Sequence, residues 1–483
     1  GGSVTNTVKE THYLKDGVRH PCQDAHRAFI KPRKGDSYHL SDKHSKRAKP
    51  PRTESRKSIR SIEKLGMIEC QCISVDNPTK LFLTNALTPT HNTTAMFNAM
   101  KESPNERYLY ITPFLSEIQE RVPKELKGLK FKSPENNGKG KLTDIKRLVE
   151  KGHNIASTHA LFSMFTPEIV DLVIEKNYIL IIDEAVHCIG LMPKEFKPSD
   201  IDALLTGDFV IIDENRRGLL IWNEEKYPNH DGKYSDIRDM CNMEMLYSYQ
   251  NTFLFWEYPA KLLRELDEVY VLTYLFGGST MKGWLEINNI PYQIEDPEEW
   301  GMKSEEVLKT VFKFNIRFGK NRTLANSKQH DTTLSKSWFK NSNTDTIGKY
   351  RAIIRSYVVI NKIKSGNLFW TTFKEDAHRL AGAGFSAGVK NDVPNPCFLP
   401  CNIRATNDYR DRTHCIYAMN RYLNPIEVNY IKANGGHVDS DLFALGELIQ
   451  FIYRGSIRKQ KPMTLFIMSK RMQRLLEQWM DEL

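Results

Sequence analysis

The sequence predicts a multidomain protein with a mostly-β segment first and two α/β domains after it. In residues 58–92, apolar and polar residues alternate with the period of two that β-strands show. Beyond residue 93, short apolar runs alternate with helical patterns, which is typical of parallel sheets covered on both faces. A second block of the same kind starts near residue 300. The predicted domain boundaries are therefore 1–92, 93–295 and 296–483.

The individual elements follow from these patterns. Early strands are predicted at 58–62, 67–75 and 80–84. The first α/β domain has strand patterns at 107–112, 154–157, 178–183, 209–212 and 268–273. The second has them at 367–371, 413–417 and 463–467. A hairpin is predicted at 213–218, between two apolar runs, and the clearest helix of the second block at 442–458.

Length and composition limit the classes of function. The chain has 483 residues, of which 40% are hydrophobic, enough for about three domains. No apolar run approaches the roughly 20 residues of a membrane span. Its eight cysteines lack the regular spacing of a disulfide framework. The first residues contain no signal pattern and no initiator Met, so we expect an internal start. Together these features predict a cytoplasmic protein without a membrane partner.

The net charge of +10 is concentrated near the N-terminus. Residues 1–60 contain 15 Lys and Arg against 6 Asp and Glu, and the remainder is nearly neutral. Residues 37–57 are rich in Lys, Arg, Ser, Pro and His, which predicts a basic linker. A solvated linker is the simpler interpretation of this stretch. Overall basicity is therefore weak support for nucleic-acid binding.

The tripeptide His91-Asn92-Thr93 has the order needed for cleavage of a peptide bond by an asparagine. The Asn92 amide can attack its own backbone carbonyl and form a succinimide, which breaks the bond to Thr93. His91 can donate a proton to the leaving amide near neutral pH. The Thr93 hydroxyl can accept an acyl group from an activated ester. The tripeptide is common by chance, so its surroundings decide how it is interpreted.

The surrounding residues resemble an intein, the protein-splicing family with the Hint fold. The segments that resemble the family's conserved blocks are 11–14, 70–75, 81–84 and 89–92. The resemblance as a whole covers about residues 4–92. The resemblance implies that Asn92 cyclises with assistance from His91 and that Thr93 is the acyl acceptor. It also implies that His12 assists the N-terminal acyl shift and that Cys72 couples the steps. Two positions depart from the family pattern, because Lys9 replaces a usual Thr and Lys80 lies near a usual His.

The intein block that carries the first nucleophile is not found in the sequence. We therefore expect half of a split intein or a fragment, with an N-terminal intein and extein half as its partner. Two other interpretations stay open for this region. One is a β-domain with an incidental His-Asn pair, and the other is a zinc or HNH-nuclease remnant built on Cys22, His26, His39 and His44.

Residues 93–100 are typical of the end of a phosphate-binding loop that runs into a helix. Such a loop needs glycines, a Lys for the β- and γ-phosphates, and a Ser or Thr for Mg²⁺. If Gly-Lys were joined ahead of Thr93, this hydroxyl would bind Mg²⁺ and Thr94 would adjoin the nucleotide. The N-terminal partner would supply the Gly-Lys. The chain by itself is therefore expected to bind ATP poorly.

An apolar strand pattern at 178–183 delivers two adjacent carboxylates, Asp183 and Glu184. Asp183 can hold Mg²⁺ and Glu184 can activate a water molecule. The stretch resembles the DEAD/DEAH box of superfamily 2 helicases, a resemblance that extends over about residues 93–483. It implies two RecA-like P-loop NTPase domains with ATP and Mg²⁺ as cofactors. It also implies a phage-type helicase-like ATPase that acts on DNA or RNA after splicing.

Further segments occur in the order of that family. Thr112-Pro113 and Thr158-His159 resemble two of its conserved segments, and we expect both to contact nucleic acid. Gln450, Arg454 and Arg458 are spaced to share one helix face, like the family's arginine-finger motif, with Gln450 at the nucleotide. A solvated basic helix face is the plainer alternative for these three. For the whole chain, the alternative is a non-catalytic nucleic-acid-binding protein with a degenerate NTPase core.

Overall fold

The computed structural model describes most of the chain beyond residue 91 and four short strands before it. The described residues are 3–9, 12–15, 18–21, 25–31, 92–136, 138, 140–192, 198–295, 305–386, 397–401 and 408–482. Residues 1–88 and 89–483 form two compact units. The predicted early strands, the basic linker, Cys72 and His91 lie outside the described residues, as do Cys22, His39 and His44.

The first unit contains four described strands in two antiparallel pairs. In one pair Val4 lies opposite Ile30, and in the other Tyr13 lies opposite His20. His12 begins the second strand of the unit. The strands are β1 (Ser3–Lys9), β2 (His12–Lys15), β3 (Val18–Pro21) and β4 (Ala25–Lys31), with β1 paired to β4 and β2 to β3.

The second unit opens with a helix that leads into a parallel sheet. Its strands are short and almost wholly buried, which explains why they appear in the sequence as continuous apolar runs. The elements are α1 (Asn92–Glu102), β5 (Tyr108–Thr112), a π-helical turn (Glu117–Arg121), α2 (Val122–Glu125), α3 (Lys141–Glu150), β6 (Ile155–Thr158), α4 (His159–Phe162), α5 (Pro167–Glu175) and β7 (Ile179–Asp183).

An antiparallel sheet of five strands follows. The predicted hairpin at 213–218 is confirmed, since Ile212 pairs with Leu220 across it. The rest of this sheet is not evident from the sequence, because its strands are only three to five residues long and do not alternate strictly. The elements are β8 (Ile189–Leu191), α6 (Pro198–Thr206), β9 (Val210–Asp213), β10 (Leu219–Trp222), α7 (Ser235–Asn242), β11 (Leu246–Tyr249) and β12 (Phe253–Glu257), in the order β8-β12-β11-β10-β9.

The chain then returns to complete the first parallel sheet. The returning elements are α8 (Lys261–Glu265), β13 (Val269–Leu272) and α9 (Thr280–Ile287), and the sheet order is β13-β7-β5-β6. Side chains alternate between its two faces. Tyr110 and Ile181 pack with α1 on one face, whereas Leu109 and Leu180 pack with α3, α5 and α9 on the other. The sheet is thus buried on both sides, as predicted.

The C-terminal lobe is a second parallel sheet with its own core. Strands predicted at 367–371, 413–417 and 463–467 are confirmed and lie adjacent in the order β14-β17-β16-β15. The elements are α10 (Glu305–Asn315), β14 (Ile316–Phe318), α11 (Arg322–Ala325), α12 (Lys336–Asn341), α13 (Thr344–Ile360), β15 (Leu368–Thr371), α14 (Ala377–Leu380), β16 (His414–Tyr417), α15 (Pro425–Ala433), α16 (Ser440–Ile452), β17 (Met463–Ile467) and α17 (Lys470–Asp481). The predicted multidomain α/β architecture with parallel sheets is therefore confirmed.

The predicted helix at 442–458 is wrong at its C-terminal end. Helix α16 stops at Ile452, and a separate 3-10 turn covers Ser456–Lys459. Gly455 between them is extended, and a Cβ at this position would lie 2.5 Å from the sulfur of Met463. Because glycine is a poor helix former and fits this close contact, the chain turns here. Gln450, Arg454 and Arg458 consequently do not share a helix face.

Residues 92–295 form the first lobe. It meets the C-terminal lobe where the segment after β13 contacts α16. A Cβ on Gly278 would lie 2.3 Å from the backbone nitrogen of Phe443, so only glycine permits this approach. The Asp439 N–H donates to the carbonyl of Gly277 at 3.3 Å. Gly277 and Gly278 therefore lie at the contact between lobes. No helix in the described part of the chain is long and apolar enough to cross a membrane.

Candidate nucleotide and magnesium site

Thr93 and Asp183, the two residues predicted to bind Mg²⁺, lie side by side. Helix α1 begins at Asn92, so Thr93 is in its first turn, and its side chain is buried. Its Oγ1 donates to Asp183, at 3.1 Å from Oδ1 and 3.3 Å from Oδ2. Strand β7 carries Asp183 to the carboxyl edge of the sheet, where the helix starts. Folding thus joins two residues that are 90 positions apart in the sequence.

Tyr110 and Glu117 complete a buried network around Asp183 that has no signal in the sequence. The Tyr110 hydroxyl lies 2.7 Å from Asp183 Oδ2 and 2.9 Å from Glu117 Oε2. A hydroxyl has one proton to donate, so the second contact requires a protonated carboxyl group. The pKa of Asp183 is raised to about 7, chiefly by burial. The negative charges of Glu117 and Glu184 add to the rise, and hydrogen bonds from Tyr110 and Thr93 oppose it.

The raised pKa of Asp183 gives a testable pH dependence of stability. The folded protein keeps a proton on Asp183 that the unfolded chain releases near pH 3.8, the ordinary pKa of an aspartate. The contribution of this proton to stability is therefore complete below about pH 4 and is lost as the pH rises through about 7. We expect Asp183→Asn, which cannot ionise, to gain free energy of unfolding relative to wild type between pH 5 and 8. Each tenfold difference in proton affinity between the folded and unfolded states corresponds to about 1.4 kcal/mol.

Urea denaturation of both proteins at pH 5, 6, 7 and 8 measures this difference. In the same series Tyr110→Phe removes a donor that lowers the pKa of Asp183 in the folded protein. The pH-dependent fall in stability should therefore continue to a higher pH in this variant than in wild type. A free-energy difference between Asp183→Asn and wild type that stays constant across the whole pH range would contradict the assignment.

Glu184 follows Asp183 in a backbone conformation that is uncommon for glutamate. Its φ is +66°, and its N–H donates to the carbonyl of Leu272 at 2.9 Å. Such conformations often mark functional positions, because the surrounding structure must hold them in place. Glu184 lines a cleft of about 400 Å³ between the lobes, together with Thr273, Arg421 and Gln450. The structure thus places Glu184 and Gln450, both predicted site residues, on one cleft.

The two predicted arginine fingers have different environments. Arg454 is buried, donates to the carbonyl of Cys401 at 3.3 Å and lies over the ring of Phe451. These contacts give Arg454 a structural role within the C-terminal lobe. Arg458 is partly exposed in the 3-10 turn beyond Gly455.

The charge of Arg458 interacts with that of Arg121 in the first lobe. Burial lowers the pKa of the Arg458 guanidinium, and the positive charges of Arg410 and Arg121 lower it further, against an opposing effect of Tyr453. Arg121 donates to Thr94 Oγ1 at 2.8 Å, so this cluster adjoins the first turn of α1. Arg121 also pairs with Glu117 at 3.1 Å and with Glu125 at 2.9 Å, so Arg458 and Arg410 are the guanidinium groups that suit a polyanion such as a triphosphate here. Arg121 and Arg410 have no sequence signal, since only the fold brings them to Arg458.

The residues predicted to contact nucleic acid are mostly engaged inside the first lobe. The Thr112 side chain is fully buried and accepts from the Phe114 N–H at 3.4 Å. A direct contact through Thr112 does not fit this position. Thr158 caps α4 by accepting from the Leu161 N–H, and His159 Nε2 lies 2.9 Å from the carbonyl oxygen of Asp183. Pro113 is partly exposed.

The arrangement fits Mg²⁺ only together with other ligands. Within the described residues, no group of three or more His, Cys, Asp or Glu side chains is placed to hold a metal ion. Thr93 and Asp183 supply two oxygen ligands, and Mg²⁺ commonly takes the remainder from water and substrate phosphates. The residues present therefore suit a magnesium–nucleotide complex better than a permanent metal site.

Comparison with known proteins gives matches of one kind. Residues 308–480 match a family described as the YonV C-terminal Rossmann-like domain, and residues 193–256 match one described as the YonV middle domain. The chain is 29% identical over 408 residues to an SPbeta prophage-derived uncharacterized protein, YonV, of Bacillus subtilis (strain 168). That match covers 80% of this chain and 96% of the relative. No solved structure matches.

These matches coincide with elements of the fold. The Rossmann-like match contains the parallel sheet of the C-terminal lobe, and the middle-domain match contains most of the antiparallel sheet. The C-terminal lobe is therefore similar to the YonV Rossmann-like domain.

Proposed function

We propose that residues 93–483 are a superfamily 2 helicase-like ATPase that acts on nucleic acid, with a phosphate-binding loop interrupted ahead of Thr93. The observation that carries this proposal is the hydrogen bond between Thr93 at the start of α1 and Asp183 at the end of β7. A hydroxyl from the loop helix and an aspartate from a neighbouring strand are the two protein groups that share Mg²⁺ in such ATPases. The guanidinium cluster at Arg458 supports the same proposal.

Each residue then has a chemical role. Mg²⁺, when bound, would neutralise charge on the nucleotide phosphates, with Thr93 and Asp183 as its protein ligands. Glu184 would orient and deprotonate the attacking water. Arg458 would stabilise the charge that develops on the transferred phosphoryl group. The Lys that contacts the β- and γ-phosphates would come from the segment joined ahead of Thr93.

We further propose that residues 1–92 are the C-terminal part of an intein, a self-excising element. Its chemistry would consist of cyclisation of Asn92, assisted by His91, with Thr93 as acyl acceptor. The compact units divide between Thr88 and Pro89, close to this junction. A bond broken after Asn92 would therefore release a chain that begins in the first turn of α1. The prophage relative supports a phage setting.

Restoring the missing loop tests this function. In the loop-restored protein, residues 1–92 are replaced by an apolar strand and a Gly-rich loop that ends in Gly-Lys. We expect this protein to hydrolyse ATP with Mg²⁺ and the unaltered chain to show no such activity. Phosphate release in the presence of single-stranded DNA or RNA is the measurement. Equal activity of the two proteins would contradict the proposal of an interrupted loop.

A substitution of the proposed general base separates an ATPase from a plain nucleic-acid binder. In the loop-restored protein, Glu184→Gln should lower kcat by about 10²–10⁴-fold. The control is Glu150→Gln, at the exposed end of α3, which should have no effect. A non-catalytic binder would instead show salt-dependent affinity and no phosphate release in any variant.

A further inference from the structure

Strand β13 is an edge strand whose outer side is open within the described residues. The carbonyl oxygens of Glu268 and Leu272 accept from β7, at 3.1 Å from Leu180 N and 2.9 Å from Glu184 N. Backbone groups alternate in direction along a strand, so those of Val269 and Val271 point away from β7. Such a row of outward N–H and C=O groups is a template for another strand.

The opposite edge of the sheet, at β6, already has a hydrogen-bonded neighbour. Beyond β6, Lys132 donates to the carbonyl of Asn154 and accepts from the Ala156 N–H, both at 2.8 Å. All four side chains of β13, by contrast, are only partly buried, although three of them are aliphatic. Partial burial of an apolar strand between two packed faces indicates that a neighbouring strand would cover it further.

The handedness of the chain indicates which strand belongs there. The connection from β6 to β7 runs through α5 on the face of Leu109 and Leu180, and such crossovers are right-handed. Helix α1 leads into β5 on the opposite face. For a strand ahead of α1 to make a right-handed crossover into β5 across that face, it must lie on the β13 side. A strand beyond β6 would require a left-handed connection.

We propose that β13 is a docking edge for a parallel, apolar strand from a separate N-terminal polypeptide, held by backbone hydrogen bonds before any covalent ligation. The proposal rests on the proposed function, because the incoming strand would be the one that ends in the Gly-rich loop. Its carboxyl end would lie at the same sheet edge as Thr93 and Asp183. Strand addition to an open edge is a recurrent mode of recognition, with backbone bonds for affinity and side chains for specificity.

Amide hydrogen exchange on the full chain tests the docking. The probe is a synthetic peptide with two N-terminal lysines, six alternating valines and isoleucines, and then Gly-Ser-Ala-Gly-Ser-Gly-Lys. We expect exchange at Val269 and Val271 to be fast in the chain alone and to slow at least tenfold with the peptide. A control peptide in which two strand residues are proline should give no slowing, since proline cannot donate to a ladder.

A matched pair of variants locates the contact. Val271→Pro removes an outward N–H and leaves the bonds to β7, which use Glu268, Tyr270 and Leu272. It should abolish the peptide-induced protection at Val269, whereas Val271→Thr, which keeps the N–H, should retain it. Urea denaturation checks that both variants are folded. If Val271→Pro is unfolded, the proposal is tested by the wild-type protein alone, from the difference in exchange between the strand peptide and the proline peptide.

Three outcomes would overturn the proposal. The first is strong protection of Val269 and Val271 in the chain alone, which would mean that its own residues cover the edge. The second is protection that grows with protein concentration, which would mean pairing with a second copy. The third is an absence of protection at millimolar peptide.

The outcomes also separate this inference from the proposed function. If the loop-restored protein hydrolyses ATP but the free peptide gives no protection, docking in trans fails and the function stands. If the peptide protects β13 but no ATPase activity appears, docking stands and the function fails.

Discussion

Replacing Arg458 with alanine in the loop-restored protein is expected to lower kcat by about 10³-fold or more, the range measured for arginine fingers. Arg458 lies in the 3-10 turn after α16, and its charge interacts with those of Arg121 and Arg410. Because Arg121 donates to Thr94 in the first turn of α1, the cluster adjoins the place where the phosphates would lie. The reduction should affect kcat more than KM, since the charge it offsets develops in the transition state.

Lys459→Ala is the matched control for Arg458→Ala. Lys459 is the next residue, is exposed, and forms an ion pair with Asp411 at 2.5 Å. Its removal takes away one positive charge in the same turn, yet it should leave kcat nearly unchanged. Arg458→Lys should recover only part of the activity, because an ammonium lacks the planar fork of a guanidinium. Equal losses from Lys459→Ala and Arg458→Ala would point to general electrostatics and against a finger.

Replacing Glu257 with glutamine is expected to lower the free energy of unfolding by about 3–5 kcal/mol, the cost of breaking a buried ion pair from one side. The Glu257 side chain is 2% exposed and accepts from Arg217 at 2.9 Å. It also accepts from the Tyr430 hydroxyl at 2.8 Å. Tyr430 belongs to α15 and stacks on Phe255 of the antiparallel sheet. Through Tyr430, the Glu257 carboxylate therefore joins the antiparallel sheet to the C-terminal part of the chain.

Urea denaturation measures the effect of Glu257→Gln, and Glu244→Gln is its control. Glu244 pairs with Arg216 at 2.7 Å, but both side chains are largely exposed, so its loss should leave the midpoint close to wild type. Adding Arg217→Met to Glu257→Gln should recover part of the loss, since it removes a partly buried charge that has lost its carboxylate partner. A midpoint for Glu257→Gln equal to that of Glu244→Gln would show that the pair contributes little.

Several elements could be predicted from the sequence because their signals are local. The strand that ends in Asp183 is a continuous apolar run, and the run from Met463 to Ile467 has the same bounds in the sequence pattern and in the structure. A buried parallel strand produces such a run because both of its faces are covered. The hydroxyl of Thr93 at the start of a helix is likewise indicated by the residues that follow it. In each case, neighbours in the sequence carry the information.

Other features could not be predicted because their partners are distant in the sequence. The helical pattern of α16 continues through Arg458, although Gly455 turns the chain to fit beside Met463. In the five-stranded antiparallel sheet only the hairpin of β9 and β10 is evident, and β8 pairs with β12 across a long connection. Tyr110 is 73 residues from Asp183, so its position in the network has no local pattern.

By itself, the sequence determined that two parallel α/β sheets follow residue 92 and that Thr93, Asp183 and Glu184 are the residues to examine for phosphate chemistry. The tertiary structure decided that Thr93 contacts Asp183 and that the charges of Arg458 and Arg121 interact. It also decided that Arg454 is structural and that β13 has an open edge within the described residues. The physical reason is the separation in sequence between the residues that determine each feature. Strand and helix periodicity depends on residues a few positions apart, whereas a site at a sheet edge depends on crossover direction and on packing between segments far apart in the chain.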